Sequence, residues 1–285
     1  MKIKVIIHTK LRGNKKAISP AVSTVILTSA IVVLLLVTVV FANNFLNARM
    51  AENEFSAMEQ FMQSVGLQLD DVAWTAGRVQ TFRYASRFGQ MAFENKSLTY
   101  NVYINGALWQ NFTTGIIMFK MPVEWYSLGN NHYKSIYPQD GRFIHWSASA
   151  PVGYVYAVER LPMADGGFIR VVLVPTIRVL NSTMTIGSNT YTYLRFYLPQ
   201  LFSNGTHNYL SQSITFTGER VLVKTATNVN TVRITVSFPN STRQGEPYLN
   251  GGFFNFAKEE ETFSVQGSII EFYTGEVKVS LGLHA

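Results

Sequence analysis

The sequence has no cysteine and little charge. The absence of cysteine from its 285 residues excludes disulfide bonds, thiolate metal ligands and a thiol nucleophile. Charged residues make up only 14% of the chain and aromatic residues 13%, whereas an average soluble domain is about 25% charged. Asn, Ser, Thr and Gln must therefore supply much of the polar surface, as in many extracellular β-proteins. A fold without disulfides is held by its apolar core, by packing against neighbours, or by both.

Catalytic and cofactor-binding motifs are also missing. The chain has no Gly-x-Ser-x-Gly elbow, no phosphate-binding loop and no dinucleotide-binding fingerprint. Its five histidines are isolated, and no two of them have a metal-ligand spacing such as H-x-x-x-H. Asp140-Gly141 and Asp165-Gly166-Gly167 are turn sequences without the ligand density of a calcium loop. We therefore predict no catalytic residue, no metal site and no cofactor.

The positive charge is concentrated at the N-terminus. Of 24 basic and 17 acidic residues, six basic and no acidic ones precede residue 18, so 18 basic and 17 acidic residues remain after it. No basic stripe is left to neutralise phosphates, and we do not expect nucleic acid as a partner.

A long apolar run follows this basic flank. The 25 residues from Ile18 to Ala42 include no charged side chain. As a helix they would measure about 37 Å, enough to cross a hydrocarbon core of about 30 Å. An ordinary secretory signal has an apolar stretch of only about 7–15 residues. Since basic flanks stay in the cytoplasm, the rest of the chain is predicted to lie outside the membrane.

The basic flank and the apolar run are joined by the sequence Lys15-Lys16-Ala17-Ile18-Ser19-Pro20. This junction resembles the class III signal peptide of archaeal type IV pilins and archaellins, in which a prepilin peptidase removes a short basic leader and leaves the helix intact. The resemblance implies a cut between Ala17 and Ile18, so that residues 1–17 are lost. Bacterial pilins usually have Glu at the fifth mature position, where this chain has Val22, and the bacterial subfamily therefore fits poorly.

Two other fates of the N-terminus stay open. Val40-Phe41-Ala42 has small or aliphatic residues where ordinary signal peptidase cuts, although the length of the apolar run argues against cleavage after Ala42. The run could also remain as an uncleaved membrane anchor.

Helical periodicity continues beyond the apolar run. Apolar residues recur at alternating steps of three and four, the pattern of a heptad seam, and the phase runs back to Phe41. We predict one helix over residues 18–78, with 18–42 in the membrane or filament core and 43–78 amphipathic. Gly66 is its weak point and Gly77 its stop. The distal part could cover the chain's own head while the proximal part packs against other subunits. The stripe consists of Phe55, Met58, Met62, Val65, Leu69 and Val72.

After Arg78 the pattern changes to about ten short strands rich in β-branched and aromatic residues, separated by Gly, Pro, Asn and Asp. The prediction is an α+β chain in which residues 79–285 form an all-β, antiparallel, sandwich-like head. Asn105-Gly106 and Thr274-Gly275 are predicted hairpin turns. The strand segments are 98–104, 116–121, 154–158, 168–174, 191–198, 214–217, 220–224, 232–238, 264–273 and 276–283.

The head also contains five N-glycosylation sequons, all on the predicted outer side of the membrane. They begin at Asn95, Asn111, Asn181, Asn204 and Asn240. The four tryptophans could form a sugar-binding platform, although a large β-core needs such residues as well.

The pilin resemblance implies a function as a structural protein. The chain would be held in the plasma membrane before assembly and would then polymerise with copies of itself into a cell-surface filament, helped by prepilin peptidase and pilus assembly machinery. Adhesion is the expected use of the filament, and motility, DNA uptake or another secretion-linked role stays open. The residues expected in the filament core are Val22, Val25, Ile26, Val33, Leu36, Val40 and Phe41. One alternative is a membrane-anchored binding protein whose β-head binds a sugar or a surface and which never polymerises. A secreted hydrolase lacks the residues for its chemistry.

Overall fold

The structure is a computed structural model that describes residues 20–129, 132–159, 167–205, 212–238 and 251–282. The predicted cleavage site at Ala17 and Ile18 and the sequon at Asn240 lie outside the described residues. The chain divides into two compact units, Met1–Asn47 and Ala48–Ala285.

The N-terminal helix, α1, runs from Pro20 to Ala73. Proline is tolerated at the first helical position because its missing N–H has no helical partner there. The helix ends four residues before the predicted stop at Gly77. Gly77 has a φ of 80°, a conformation that favours glycine, and its N–H donates to the carbonyl of Gly218 at 2.7 Å.

Eleven strands and one short helix make up the described part of the head after α1. The strands are β1 (Val79–Arg83), β2 (Gln90–Ile104), β3 (Ala107–Pro122), β4 (His132–Tyr137), β5 (Ile144–His145), β6 (Gly153–Glu159), β7 (Phe168–Pro175), β8 (Ile177–Ile186), β9 (Asn189–Phe202), β10 (Ser213–Ser237) and β11 (Glu260–Leu281). The short helix α2 (Gly251–Phe254) lies between β10 and β11.

The strands form one sheet in the order β4-β6-β7-β3-β2-β10-β11-β9-β8-β5, and β1 pairs with the start of β10. The predicted α+β class, a long helix followed by a β-rich head, is confirmed. Two pairs in the described residues, β9 with β11 and β5 with β8, are parallel, so all-antiparallel pairing is wrong in detail. The first arises because β11 is inserted between β9 and β10. Since β9 and β10 run in opposite directions, a strand between them that is antiparallel to β10 is parallel to β9.

The alternation of side chains along the strands divides the interior into two clusters. The helix-covered core contains the buried face of α1 together with residues such as Ile117 and Phe119 of β3 and Leu173 of β7. The sheet-enclosed core contains the alternate residues, such as Ile116 and Met118, with contributions from β2, β3, β5–β11 and α2. Strands from both ends of the sheet order thus meet in one cluster, so the sheet curves back on itself, as in a sandwich.

Of the two predicted hairpin turns, one is confirmed and the other is wrong. Asn105 and Gly106 connect β2 to β3 with φ values of 49° and 85°, as a two-residue type I′ turn requires. The prediction of a hairpin turn at Thr274-Gly275 is wrong, because both residues lie inside β11. A Cβ at Gly275 would overlap the backbone oxygen of Ala73 at the end of α1, and a Cβ at Gly218 would lie 2.5 Å from that of Val72. These glycines permit close backbone approach rather than a turn.

Candidate functional site: the N-terminal helix

The proximal helix segment, residues 22–47 of α1, exposes apolar side chains. It contains no charged residue, and none of its residues is buried. The seven predicted filament-core residues lie here, with exposed fractions from 50% at Val22 to 73% at Phe41. A contiguous exposed apolar surface of this kind marks an interaction with lipid or with protein.

Three of the five hydroxyl groups of the proximal helix segment donate to backbone carbonyls within the helix. Thr28 Oγ1 donates to the carbonyl of Thr24 at 2.9 Å, Ser29 Oγ to that of Ile26 at 2.9 Å, and Thr38 Oγ1 to that of Leu34 at 2.7 Å. Small hydroxyl residues also allow neighbouring helices to approach closely. These three hydroxyl groups can therefore enter hydrocarbon or an apolar helix bundle with their donors satisfied.

Among the described residues, α1 is the one helix long and apolar enough to cross a membrane. An apolar helix near the N-terminus indicates membrane anchoring or a signal sequence.

The distal helix segment, residues 48–73 of α1, belongs to the head and is amphipathic. All six predicted stripe residues are buried, with at most 2% of any of them exposed, and all belong to the helix-covered core. The Phe55 ring lies 6.5 Å from that of Phe119 and 5.6 Å from that of Tyr126. The stripe therefore covers the chain's own sheet from Ala51 to Ala73.

Gly66, in the distal helix segment, packs closely against the sheet. The sequence pattern predicts it to be a weak point of the helix. A Cβ added there would lie 3.0 Å from Leu173 Cδ1 and 3.3 Å from Val155 Cγ2. A Cβ at Gly153 of β6 would in turn lie 3.6 Å from Gly66 Cα. The two glycines bring the helix and the sheet together, and α1 continues through Gly66 without a break.

Glu54 attaches a loop of the head to the distal helix segment. Its carboxylate accepts hydrogen bonds from Ser86 Oγ at 2.7 Å and from the N–H groups of Arg87 at 2.8 Å, Phe88 at 3.1 Å and Gly89 at 3.2 Å. Sequence reasoning places Glu54 on the polar face of the helix but misses this role, because the partners follow more than 30 residues later.

A second polar contact fixes the C-terminal end of α1. Asp70 lies 2.7 Å from the Arg178 guanidinium of β8 and accepts a hydrogen bond from Trp74 Nε1. The Arg178 guanidinium also lies 5.3 Å from the centre of the Tyr197 ring, and Trp74 packs edge-on against that ring. Together with the stripe, Glu54 and Asp70 hold the distal helix segment to the sheet along its length.

The predicted glycosylation sites are accessible where the structure describes them. Asn95, Asn111, Asn181 and Asn204 are all exposed, as attachment of a glycan requires. Occupancy of these sites stays a prediction.

The remaining candidate residues in the described ranges do not lie together in one site. His145 is buried, with Nδ1 3.5 Å from the Asp140 carboxylate, and burial lowers the pKa of its imidazole while Asp140 acts against that shift. His207 and His284 lie outside the described residues. No group of three or more His, Asp or Glu side chains in the described ranges could hold a metal ion. Two tryptophans, Trp125 and Trp146, are 39% and 46% exposed.

The candidate functional site is therefore the exposed apolar surface of the proximal helix segment. The proximal helix segment presents apolar side chains that need a non-aqueous environment, and the distal helix segment is joined to a β-rich head. Comparisons of the chain with protein-family models, with curated proteins and with solved structures found no match.

Proposed function

We propose that this chain is a structural subunit of an archaeal type IV pilus-like cell-surface filament. One observation carries the proposal: the apolar surface of the proximal helix segment is exposed, whereas the stripe that follows it is buried against the chain's own head. Burial of each exposed Val, Leu or Ile side chain is worth about 1.5–3 kcal/mol. Lipid supplies that burial before assembly, and the same helices of neighbouring copies supply it afterwards.

The junction at Ala17 and Ile18 supports the order of events. Prepilin peptidase removes residues 1–17, the helix stays in the membrane, and the assembly machinery transfers it into a filament. The β-rich heads then face the surroundings and serve adhesion. The attachment of the distal helix segment to the head supports this use, because a load on the head passes directly to the assembly helix.

A membrane-anchored binding protein is the second candidate. The same apolar helix would serve as a permanent anchor, and the exposed Trp146 on the head favours a binding role. In that case the chain stays in the membrane and forms no filament.

Negative-stain microscopy of material sheared from expressing cells, combined with mass spectrometry of its subunits, separates these candidates. The filament proposal predicts fibres whose main subunit begins at Ile18 and contains the 268 residues left after 17 are removed from 285. Membrane-bound protein without fibres would favour the anchor. A subunit beginning at Asn43 would contradict the filament proposal, because the assembly helix would have been removed.

A further inference from the structure

The head carries a groove that is lined by aromatic and by polar, uncharged side chains. It has a volume of about 410 Å³, within the range of small-molecule sites. Its lining comes from the residue after β5 and from β8, β9 and β11, which are distant in sequence and are brought together by the pairing of β5 with β8, β8 with β9 and β9 with β11. The lining residues that matter for recognition are Trp146, Phe263, Asn181, Thr192, Ser264 and Gln266.

Trp146 provides the aromatic wall. Nearly half of this residue, 46%, is exposed. Its ring is held edge-on against Phe263 at a centroid distance of 4.8 Å and an interplanar angle of 77°. The buried Leu194 also lines the groove. A large aromatic side chain that is fixed in place and still open to solvent offers a ligand an apolar surface at little entropic cost.

The polar side chains of the lining offer hydrogen-bond donors and acceptors to a ligand. Asn181, Thr192, Ser264 and Gln266 contribute two amides and two hydroxyls, and none of the groove's lining residues is charged. Within the part of the chain that the structure describes, the side chains of these four residues form no hydrogen bond with another protein group. A phosphate, a carboxylate or a cation would find no opposite charge here. A ligand rich in hydroxyls with an apolar C–H face would match both kinds of lining.

We propose that this groove binds a neutral saccharide, with one pyranose ring packed on the Trp146 indole and its hydroxyls bonded to the amide and hydroxyl side chains. The site uses no residue of α1 and does not depend on filament assembly.

The saccharide has two possible sources with the same chemistry. Asn181 lines the groove and also begins the Asn181-Ser182-Thr183 sequon. A glycan attached to Asn181 would therefore start beside the indole and could fold onto it. Alternatively, a saccharide from another surface enters the groove.

The first experiment tests the groove itself. Full-length protein from a host without N-glycosylation is kept in lauryldimethylamine oxide, a detergent without a sugar headgroup, and titrated calorimetrically with cellohexaose, maltohexaose, mannohexaose and chitohexaose. At least one of these neutral probes should bind, and Trp146→Ala should weaken its binding at least tenfold in protein that circular dichroism shows to be folded at the titration temperature. Trp146→Phe should weaken it less.

Trp125→Ala is the matched control, because Trp125 is also exposed and packs on Phe88, away from the groove lining. This variant should bind as the wild type does. Hexagalacturonate, a charged probe, should bind at least tenfold more weakly than the best neutral probe. The proposal is overturned if no neutral probe binds, if Trp146→Ala binds as tightly as the wild type, or if hexagalacturonate binds as well as the neutral probes.

The second experiment distinguishes the two sources once a neutral probe is known to bind. Wild type and Thr183→Ala, which removes the sequon and leaves the groove lining intact, are prepared from an N-glycosylating archaeal host, and occupancy of Asn181 is measured by mass spectrometry. If the chain's own glycan fills the groove, the occupied wild type loses probe binding and Thr183→Ala regains it. If the occupied wild type and Thr183→Ala bind the probe equally, the ligand comes from another surface. Both outcomes support a saccharide groove, whereas loss of binding in Thr183→Ala and in the occupied wild type alike contradicts it.

Discussion

Single residues join the helix to the head in ways that the linear sequence conceals. Glu54, Gly66, Asp70, Gly218 and Gly275 read individually as helix-surface, helix-breaking or turn residues. Each takes its role from a partner that is distant in sequence, such as Ser86 for Glu54 or Ala73 for Gly275. Local patterns therefore predict which residues are apolar or turn-forming, but not which of them make the decisive long-range contacts.

Replacing Glu54 with Ala should destabilise the head by about 1–3 kcal/mol, because the N–H groups of Arg87, Phe88 and Gly89 lose a charged acceptor. Glu52→Ala is the control, since it removes a similar side chain whose ion pair with Arg49 is largely exposed, and it should cost less than about 0.5 kcal/mol. Urea unfolding of the full chain in detergent measures both. Equal effects of the two substitutions would show that the loop does not depend on Glu54.

Gly275→Ala should destabilise the head by about 1–3 kcal/mol, because its methyl group would overlap the Ala73 backbone oxygen and force the helix end away from β11. Gly167→Ala is the control, because no atom lies within 4 Å of the position its Cβ would take. Thermal unfolding compares them. A melting temperature unchanged by Gly275→Ala would rule out the close approach of helix and strand.

The stability of the head should depend on His145 as the pH falls. Burial lowers the pKa of the folded-state imidazole from its ordinary value of 6.5. The unfolded chain therefore takes up the proton first, and stability that is complete above about pH 6.5 is lost as the pH falls through the lowered pKa. Urea midpoints measured from pH 7.5 to 5 should decline more steeply for the wild type than for His145→Asn. Parallel curves would contradict this role for His145.

At the scale of secondary structure, the sequence predicts the helix and most strands because both depend on local periodicity. The stripe from Phe55 to Val72 and the hairpin at Asn105-Gly106 are of this kind. The sequence does not predict strand β8, because Asn181-Ser182-Thr183 is typical of a loop. This segment is a strand because it pairs with β9. The length of β10 and β11 and the insertion of β11 between β9 and β10 depend on pairing, which no local pattern records.

Of the two candidate sites, the local sequence predicts one and not the other. The exposed apolar helix is evident from composition. The groove around Trp146 is not, because Trp146, Asn181 and Phe263 come from separate segments.

The distal helix segment should be required for a stable head. A fragment of residues 48–285 keeps the helix-covered core, whereas a fragment of residues 80–285 exposes its sheet side, including Phe119, Leu173 and Phe216. Loss of that cover should lower the melting temperature and increase the binding of a hydrophobic dye. Circular dichroism and dye fluorescence compare the two fragments. Equal melting temperatures would mean that the distal helix segment contributes nothing to the head.

At the scale of the whole molecule, one helix contains two different surfaces. The distal helix segment is amphipathic, and a sheet covers its apolar face. The proximal helix segment exposes apolar side chains along its length. The absence of charge between Val22 and Asn47 fits both lipid and a bundle of identical helices. Contact with lipid alone would make the chain a membrane anchor, whereas contact between copies would make it a filament subunit.

Site-specific crosslinking tests contact between copies most directly, because the chain has no native cysteine to interfere. Single substitutions to Cys at Val33, Leu34, Leu35 and Leu36 cover one helical turn, and Met184→Cys, at a position 52% exposed on the head, is the control. Filaments sheared from cells are treated with a short bis-maleimide and separated on a denaturing gel. The account predicts crosslinked dimers and larger oligomers for at least one of the four helix positions, because packed helices lie about 8–10 Å apart. Monomer alone at all four positions, in sheared filaments that contain the protein, would contradict it.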